Sequence, residues 1–196
     1  MNKFKNVLNN IRLYFSVFNS ENRAALWVHF IRNLPSEGIF PEFRWRFYKK
    51  RLKNCGRFYT HTGVIIKGWN LISIGQGSWI NTGCMLFATG KAQISLGENV
   101  MLGPYCVITS QQHSVLDTNQ PMIKQPLSGE GAVIIEDDCW LGAHVVIAGN
   151  VKIGKGSVIG ANSFVNKDIP AYSIAVGSPA RVIKSRLETD RSSGSQ

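Results

Sequence analysis

Residues 135–170, IEDDCWLGAHVVIAGNVKIGKGSVIGANSFVNKDIP, decide the fold. From Ile135, every sixth position is a branched aliphatic: Leu141, Ile147, Ile153, Ile159 and Val165 follow. The next position is Gly142, Ala148, Gly154 or Gly160, with Glu136 and Asn166 as exceptions. The position four after each aliphatic is Cys139, Val145, Val151, Ser157, Ser163 or Ile169. A period of six fits neither a lone helix nor a lone strand. It fits short strands joined by tight bends, with one aliphatic per strand pointing inward and a small residue where the backbone turns. Three such units close one turn of a triangular parallel β-helix, so this stretch supplies two full coils.

Working outward, the repeat reaches back to about residue 58 at a longer period. Ile74 and Leu96, Ile80 and Leu102, and Val64, Leu86 and Ile108 are spaced by 22 residues. This spacing predicts coils with four extra residues at one corner, near Lys67-Gly68-Trp69-Asn70 and Thr89-Gly90-Lys91-Ala92. The period stops at Thr109 and resumes at Val133. An interruption of that length inside a solenoid reads as a functional excursion. The predicted organisation is therefore a basic helical segment over 1–57, a β-helix over 58–184 carrying a loop at 109–132, and a polar, disordered tail over 185–196.

Charge is unevenly placed. Of the formal net charge of +10, residues 1–57 hold +9 and the remaining chain +1. Helices are predicted at 3–18, from Ser20 to Leu34, and from Pro41, where Phe43, Trp45, Phe47 and Tyr48 alternate with Arg and Lys. These helices are expected to pack on one another and on the coils. The sharper alternative for residues 1–50 is contact with a membrane surface or an anionic glycan. No nucleic-acid-binding signature is present, so nucleic acid is not an expected partner. Cys84, Cys106 and Cys139 fall in small inward slots, which predicts reduced thiols and a cytoplasmic protein. No uncharged stretch is long enough to span a bilayer.

The order LGENVMLGPYCVI, a His at the mouth of a loop, DTNQP, CWLGAHVVI, IGANSFVNKDIP and AVGSPARVIK resembles the hexapeptide-repeat acyltransferases. These left-handed β-helix enzymes include galactoside, maltose and serine acetyltransferases. The loop wording from His113 to Pro121 is similar to members that O-acetylate capsule, O-antigen and exopolysaccharide. The resemblance implies a mostly β, left-handed parallel β-helix, a homotrimer with sites between subunits, acetyl-CoA as donor and no metal. It makes His113 the general base and places Trp140 beside the thioester. Gly142, Ala143 and Ala161 would line the pantetheine arm, and Asn166, Lys167, Arg181 and Lys184 would hold the adenine and phosphate end. Asn81 would lie near the acceptor. Asn166 stands where Thr is usual, which puts one contact in doubt.

The residues themselves support this assignment. Ala143 and Ala161 are 18 apart, one coil, so small side chains stack at about 4.8 Å and leave a smooth rail. Lys167, Arg181 and Lys184 are expected to gather at its end, where phosphates need cations. An imidazole titrates near neutrality, which suits taking a hydroxyl proton and returning it to a thiolate. A backbone N–H near Gly142 is expected to stabilise the oxyanion. Asp117, expected with Asn81 on the acceptor side, either orients His113 or structures the loop, and His144 could border the groove. The expected activity is direct O-acetylation of a surface polysaccharide, for which the basic N-terminal segment suits an anionic acceptor, or of its precursor, at the inner face of the membrane or in the cytoplasm. Alternatives are another small acceptor (an amino-sugar nucleotide, serine or an antibiotic), a zinc lyase and a non-catalytic solenoid.

Overall fold

The computed structural model describes residues 20–128 and 131–187. The helix expected over 3–18 and the tail from 188 onward lie outside them. Two helices precede the coils, α1 (Ser20–Asn33) and α2 (Phe40–Lys49). The chain divides into two compact units after Leu34, α1 belonging to the first and α2, with the coils, to the second.

Three parallel sheets form the three faces of a triangular β-helix. The first face stacks Asn54–Cys55, Ile72–Ile74, Ile94–Leu96, Val133–Ile135 and Val151–Ile153. The second stacks Tyr59–Thr60, Trp79–Ile80, Met101–Leu102, Trp140–Leu141, Val158–Ile159 and Ser173–Gly177, ending in the antiparallel strand Ala180–Ser185. The third stacks Ile65–Lys67, Met85–Phe87, Val107–Thr109, Val146–Ala148 and Phe164–Val165. The first corner joins face one to face two, the second joins two to three, and the third joins three back to one.

The sixfold period is the inward set. Ile135, Leu141, Ile147, Ile153, Ile159 and Val165 are all buried, as are Cys139, Val145, Val151, Ser157, Ser163 and Ile169 in the small slots. Each aliphatic removed from water contributes roughly 1.5–3 kcal/mol, which is what holds a bend-rich chain together. A hydroxyl or thiol in the small slot ties its coil to the next, in five cases by donating to a corner carbonyl and at Ser163 by accepting from Gly177 N at 3.1 Å. Ser78 Oγ reaches Gly97 O at 2.8 Å and Ser157 Oγ reaches Pro170 O at 2.8 Å. Cys84 Sγ reaches Gly103 O at 3.1 Å, and Cys106 Sγ and Cys139 Sγ reach Gly142 O and Gly154 O, both at 3.2 Å.

One expectation about register is corrected. Ile66, not Val64, lies opposite Leu86, while Val64 fills the small slot whose equivalent in the next coil is Cys84. The third corner holds residues 68–71 in that coil, 88–93 in the next and only 149–150 later. The early coil thus carries two extra corner residues and the following one four.

Glu136 explains its own departure from glycine at the first corner. Its carboxylate accepts from Lys155 N at 2.8 Å and pairs with Lys152 Nζ at 2.7 Å, so the larger side chain closes the corner from outside. Its pKa is held below the usual carboxylate value, chiefly by the Lys152 hydrogen bond.

Helix α2 covers the first coil. Pro41 suits its first turn, Glu42 lies at its positive end, and Arg46 and Lys49 lie in its last turn. Tyr48 is buried against Phe58, and Trp45 donates its indole N–H to Gly56 O at 2.9 Å. Arg44 is buried and donates to Thr60 O at 2.9 Å and Pro35 O at 2.8 Å. The bonds to Gly56 O and Thr60 O satisfy carbonyls at the open edge of the first coil, where no further strand can, and the bond to Pro35 O ties down the chain before α2.

Candidate active site

The interruption of the repeat leaves from the third corner. Ser110 is buried and donates to Ala92 O at 3.0 Å, while Thr109 Oγ1 donates to Gln111 O at 2.9 Å, so the exit is fixed. The chain then forms an antiparallel pair in which Gln112 lies opposite Ser128 and His113 opposite Leu127. Among the described residues no side chain hydrogen-bonds the His113 ring, which is exposed to solvent. Asp117 does not orient it. Its Oδ1 accepts from Asn119 N at 2.9 Å and its Oδ2 from Gln120 Nε2 at 2.9 Å. The buried Gln125 side chain grips Asp117 at its N–H and its carbonyl. Asp117 therefore structures the loop.

The second corner carries the rail. Asn81 N, Gly103 N, Gly142 N and Gly160 N donate in sequence to Leu102 O, Leu141 O, Ile159 O and Ala175 O, which defines one column of equivalent residues. Pro104, Ala143 and Ala161 follow in the next column, and Asn162 N donates to Ala143 O at 2.9 Å. A Cβ on Gly142 would fall 2.6 Å from Ala161 N, so the coils approach each other as closely as the residue types allow. The Gly142 N–H is consumed by this ladder and cannot serve an oxyanion. The N–H of Ala143, its neighbour, has no acceptor among the described residues. Asn81 Oδ1 accepts from Thr82 N at 2.8 Å, and its amide N–H groups have no acceptor among the described residues. His144, with φ of 59°, stacks on Tyr105 at 5.3 Å beside this column.

Trp140 stands on the second face, half exposed, between Met101 and Val158 of the adjoining coils. Arg181 and Lys184 lie on the terminal antiparallel strand, opposite Val176 and Ile174. Arg181 Nη1 donates to Ala180 O at 2.8 Å. Asn166 and Lys167 are exposed at the third corner, immediately after Phe164–Val165. The expected gathering of Lys167 with Arg181 and Lys184 is thus not found within one chain. The third face separates them, because the hairpin folds back beside the second face and not toward the third corner. The same face separates His113 from Ala143 and Ala161.

Burial raises the Cys139 thiol, and the adjoining Cys106 thiol, reinforced by burial, raises that of Cys84. Thiols held protonated and inward are poor nucleophiles. Among the described residues no group of three His, Cys, Asp or Glu could hold a metal ion, and no helix is long and apolar enough to cross a membrane.

Sequence reading gave His61 no role. Structure places it against Trp79, whose indole N–H donates to His61 Nε2 at 3.1 Å. The signal was present. Tyr59, Trp79, Met101 and Trp140 each immediately precede an inward residue of the second face, which is an outward slot.

Residues 132–167 match the family described as bacterial transferase hexapeptide, six repeats. A galactoside O-acetyltransferase of Lactococcus lactis is 33% identical over 157 residues, covering 76% of this chain and 71% of that protein. Against two further curated acetyltransferases the match spans 42% and 58% of their lengths. A maltose O-acetyltransferase structure from Clostridium difficile superposes with a TM-score of 0.71 at 29% identity, covering 81% of this chain and 82% of that one. A hexapeptide-repeat acetyltransferase from Vibrio cholerae, complexed with acetyl coenzyme A, gives 0.71 at 26% identity over 88% and 92% of the two chains. The stacked sixfold coils, the loop they release and these likenesses lead to one conclusion: the chain is a left-handed parallel β-helix that belongs to the bacterial hexapeptide-repeat acetyltransferases.

Proposed function

We propose that this protein transfers acetyl from acetyl-CoA to a sugar hydroxyl of a bacterial surface glycan or its precursor, working as a homotrimer. The observation that carries the reading is the division of the candidate residues between two corners. An imidazole with no side-chain partner among the described residues leaves from the third corner, while Gly142 and the adjoining column of Ala143 and Ala161 run along the second. One chain offers half of the site at each corner, and two chains side by side complete it. Three copies around an axis would complete three. Lys167 and Asn166 from one chain would then meet Arg181 and Lys184 from the next around the nucleotide phosphates.

In this site His113 accepts the proton of the attacking hydroxyl as the oxygen bonds to the thioester carbonyl carbon. The Ala143 N–H is placed to bear the negative charge on the carbonyl oxygen. The carbon–sulfur bond breaks, the imidazolium returns the proton to the departing sulfur, and free CoA and the O-acetyl ester result. Trp140 would wall the reacting centre from water, and Asn81 would hold the acceptor through its amide.

The glycan acceptor is supported by the loop wording from His113 to Pro121 and by the basic residues of α2, which suit an anionic polymer or a membrane-linked precursor. These features also suit work at the inner face of the membrane. The galactoside and maltose acceptors in the names of the relatives favour a second reading, transfer to a small free saccharide. A thiol-release assay with acetyl-CoA against free sugars, amino-sugar nucleotides, serine and purified polysaccharides separates the readings. Release of CoA only with non-carbohydrate acceptors would overturn the proposal, and sedimentation of the active species as a monomer would overturn the trimer.

A further inference from the structure

The second face carries an exposed row of large apolar side chains on consecutive coils: Tyr59 at 40% exposure, Trp79 at 45%, Met101 at 49% and Trp140 at 50%. Spacing between coils is about 4.8 Å. At its early end the row is elaborated. The Tyr59 and Trp79 rings lie 5.6 Å apart at 32°, and His61 lies 5.4 Å from Trp79 at 55°. The Trp79 indole N–H donates to His61 Nε2, which fixes the indole plane and puts the imidazole proton on Nδ1. His61 stays unprotonated more readily than usual, chiefly through burial and then through the Arg44 charge, against a weaker pull from Glu37. A neutral ring is what the indole bond requires.

The placement of this cluster gives it a meaning. His61 and Asn81 occupy equivalent positions at the second corner in adjoining coils, and only the inward Ile80 separates Asn81 from Trp79. The donor rail runs from Ala143 to Ala161 and onward to Arg181 and Lys184, toward the late coils. The aromatic cluster extends the other way, from Asn81 toward the first coil. An acceptor held at Asn81 therefore meets the thioester on one side and the three rings on the other. Pyranose rings present an apolar face of C–H bonds, and aromatic side chains with a fixed plane and a polar edge match that face.

We infer that Tyr59, His61 and Trp79 form a second sugar subsite, which stacks the neighbouring residue of an oligomeric acceptor while the sugar beside Asn81 is acetylated. The inference rests on the sugar-acceptor reading above and sharpens it, since a free monosaccharide has nothing to place there. Tyr59 extends the platform by one coil, so the preferred acceptor is at least two to three residues long.

The test uses the full chain and neutral gluco-, galacto- and manno-oligosaccharides together with a uronate series, each of one to five units. Transfer efficiency, kcat/KM for the acceptor, should rise with length in the parent protein. Trp79→Ala should flatten that rise, lowering the value for the longer acceptors by about tenfold, what one aromatic stacking contact supplies. Trp79→Phe should restore most of it, and KM for acetyl-CoA should not move. Saturation-transfer NMR without acetyl-CoA reads the same contact independently of catalysis. Ring C–H protons of the bound oligosaccharide should receive saturation from the parent and not from Trp79→Ala. Circular dichroism and melting confirm that the variants fold. If no acceptor releases CoA but oligosaccharides still bind through Trp79, the transfer reading fails and the subsite stands. Efficiency independent of length, no binding by any series, or equal binding by Trp79→Ala overturns the subsite.

Discussion

Gln125 holds Asp117 at both backbone groups: its Oε1 accepts from the Asp117 N–H at 3.2 Å and its Nε2 donates to the Asp117 carbonyl at 2.7 Å. The same Nε2 donates to Gln120 O at 3.1 Å. One buried amide thus closes the excursion that carries His113. Gln125→Ala should remove these three bonds at a cost of about 0.5–1.5 kcal/mol each, confined to the loop. The coils should keep their hydrogen-exchange protection while residues 112–128 lose theirs. A fall in kcat with an unchanged melting curve is the expected kinetic result.

His113→Ala should reduce acetyl transfer by about 10²–10⁴-fold at neutral pH, the range of a positioned general base. CoA release followed by a thiol reagent measures it. Because the ring is exposed and has no side-chain partner among the described residues, stability should barely change. A variant with parental activity would remove His113 from the mechanism.

The bond between Trp79 and His61 has a pH consequence. The His61 pKa is lowered below its ordinary value of 6.5, so the folded state favours the neutral ring. A lowered histidine stabilises fully above the unfolded-state value, and that contribution is lost progressively as pH falls below it toward the folded-state value. NMR titration should show one imidazole with a depressed midpoint, and Trp79 fluorescence should change with it. His61→Gln should remove the fluorescence transition.

At the first corner, a Cβ on Gly75 would fall 2.3 Å from the Gly97 carbonyl carbon and oxygen. Backbone cannot yield as a side-chain tip does. Gly75→Ala should therefore cost about 1–3 kcal/mol, as overpacking does. A two-state melt would show it as a drop of about 2–4 °C per kcal/mol.

The division of labour between sequence and tertiary structure follows from what a period encodes. Six-residue spacing determined the coils, because one inward aliphatic per side is the only way these short strands bury apolar surface, and Ile135 to Val165 show it directly. It also located the break at Thr109 and the stacking of Ala143 with Ala161. Counting failed wherever the corner changed length. Val64 lies 22 residues before Leu86, but the corner between them carries two extra residues where the next carries four, so the hydrogen-bonded register places Ile66 opposite Leu86. Ser173–Gly177 still stacks parallel on the second face, but after Gly177 the chain turns back antiparallel, so Arg181 and Lys184 lie outside the phase that places Lys167. Tertiary structure alone decided which candidates share a corner, that Asp117 serves the loop, and that His61 meets Trp79. Those relations depend on distances across faces and between coils, and linear spacing carries no information about them once the repeat is broken.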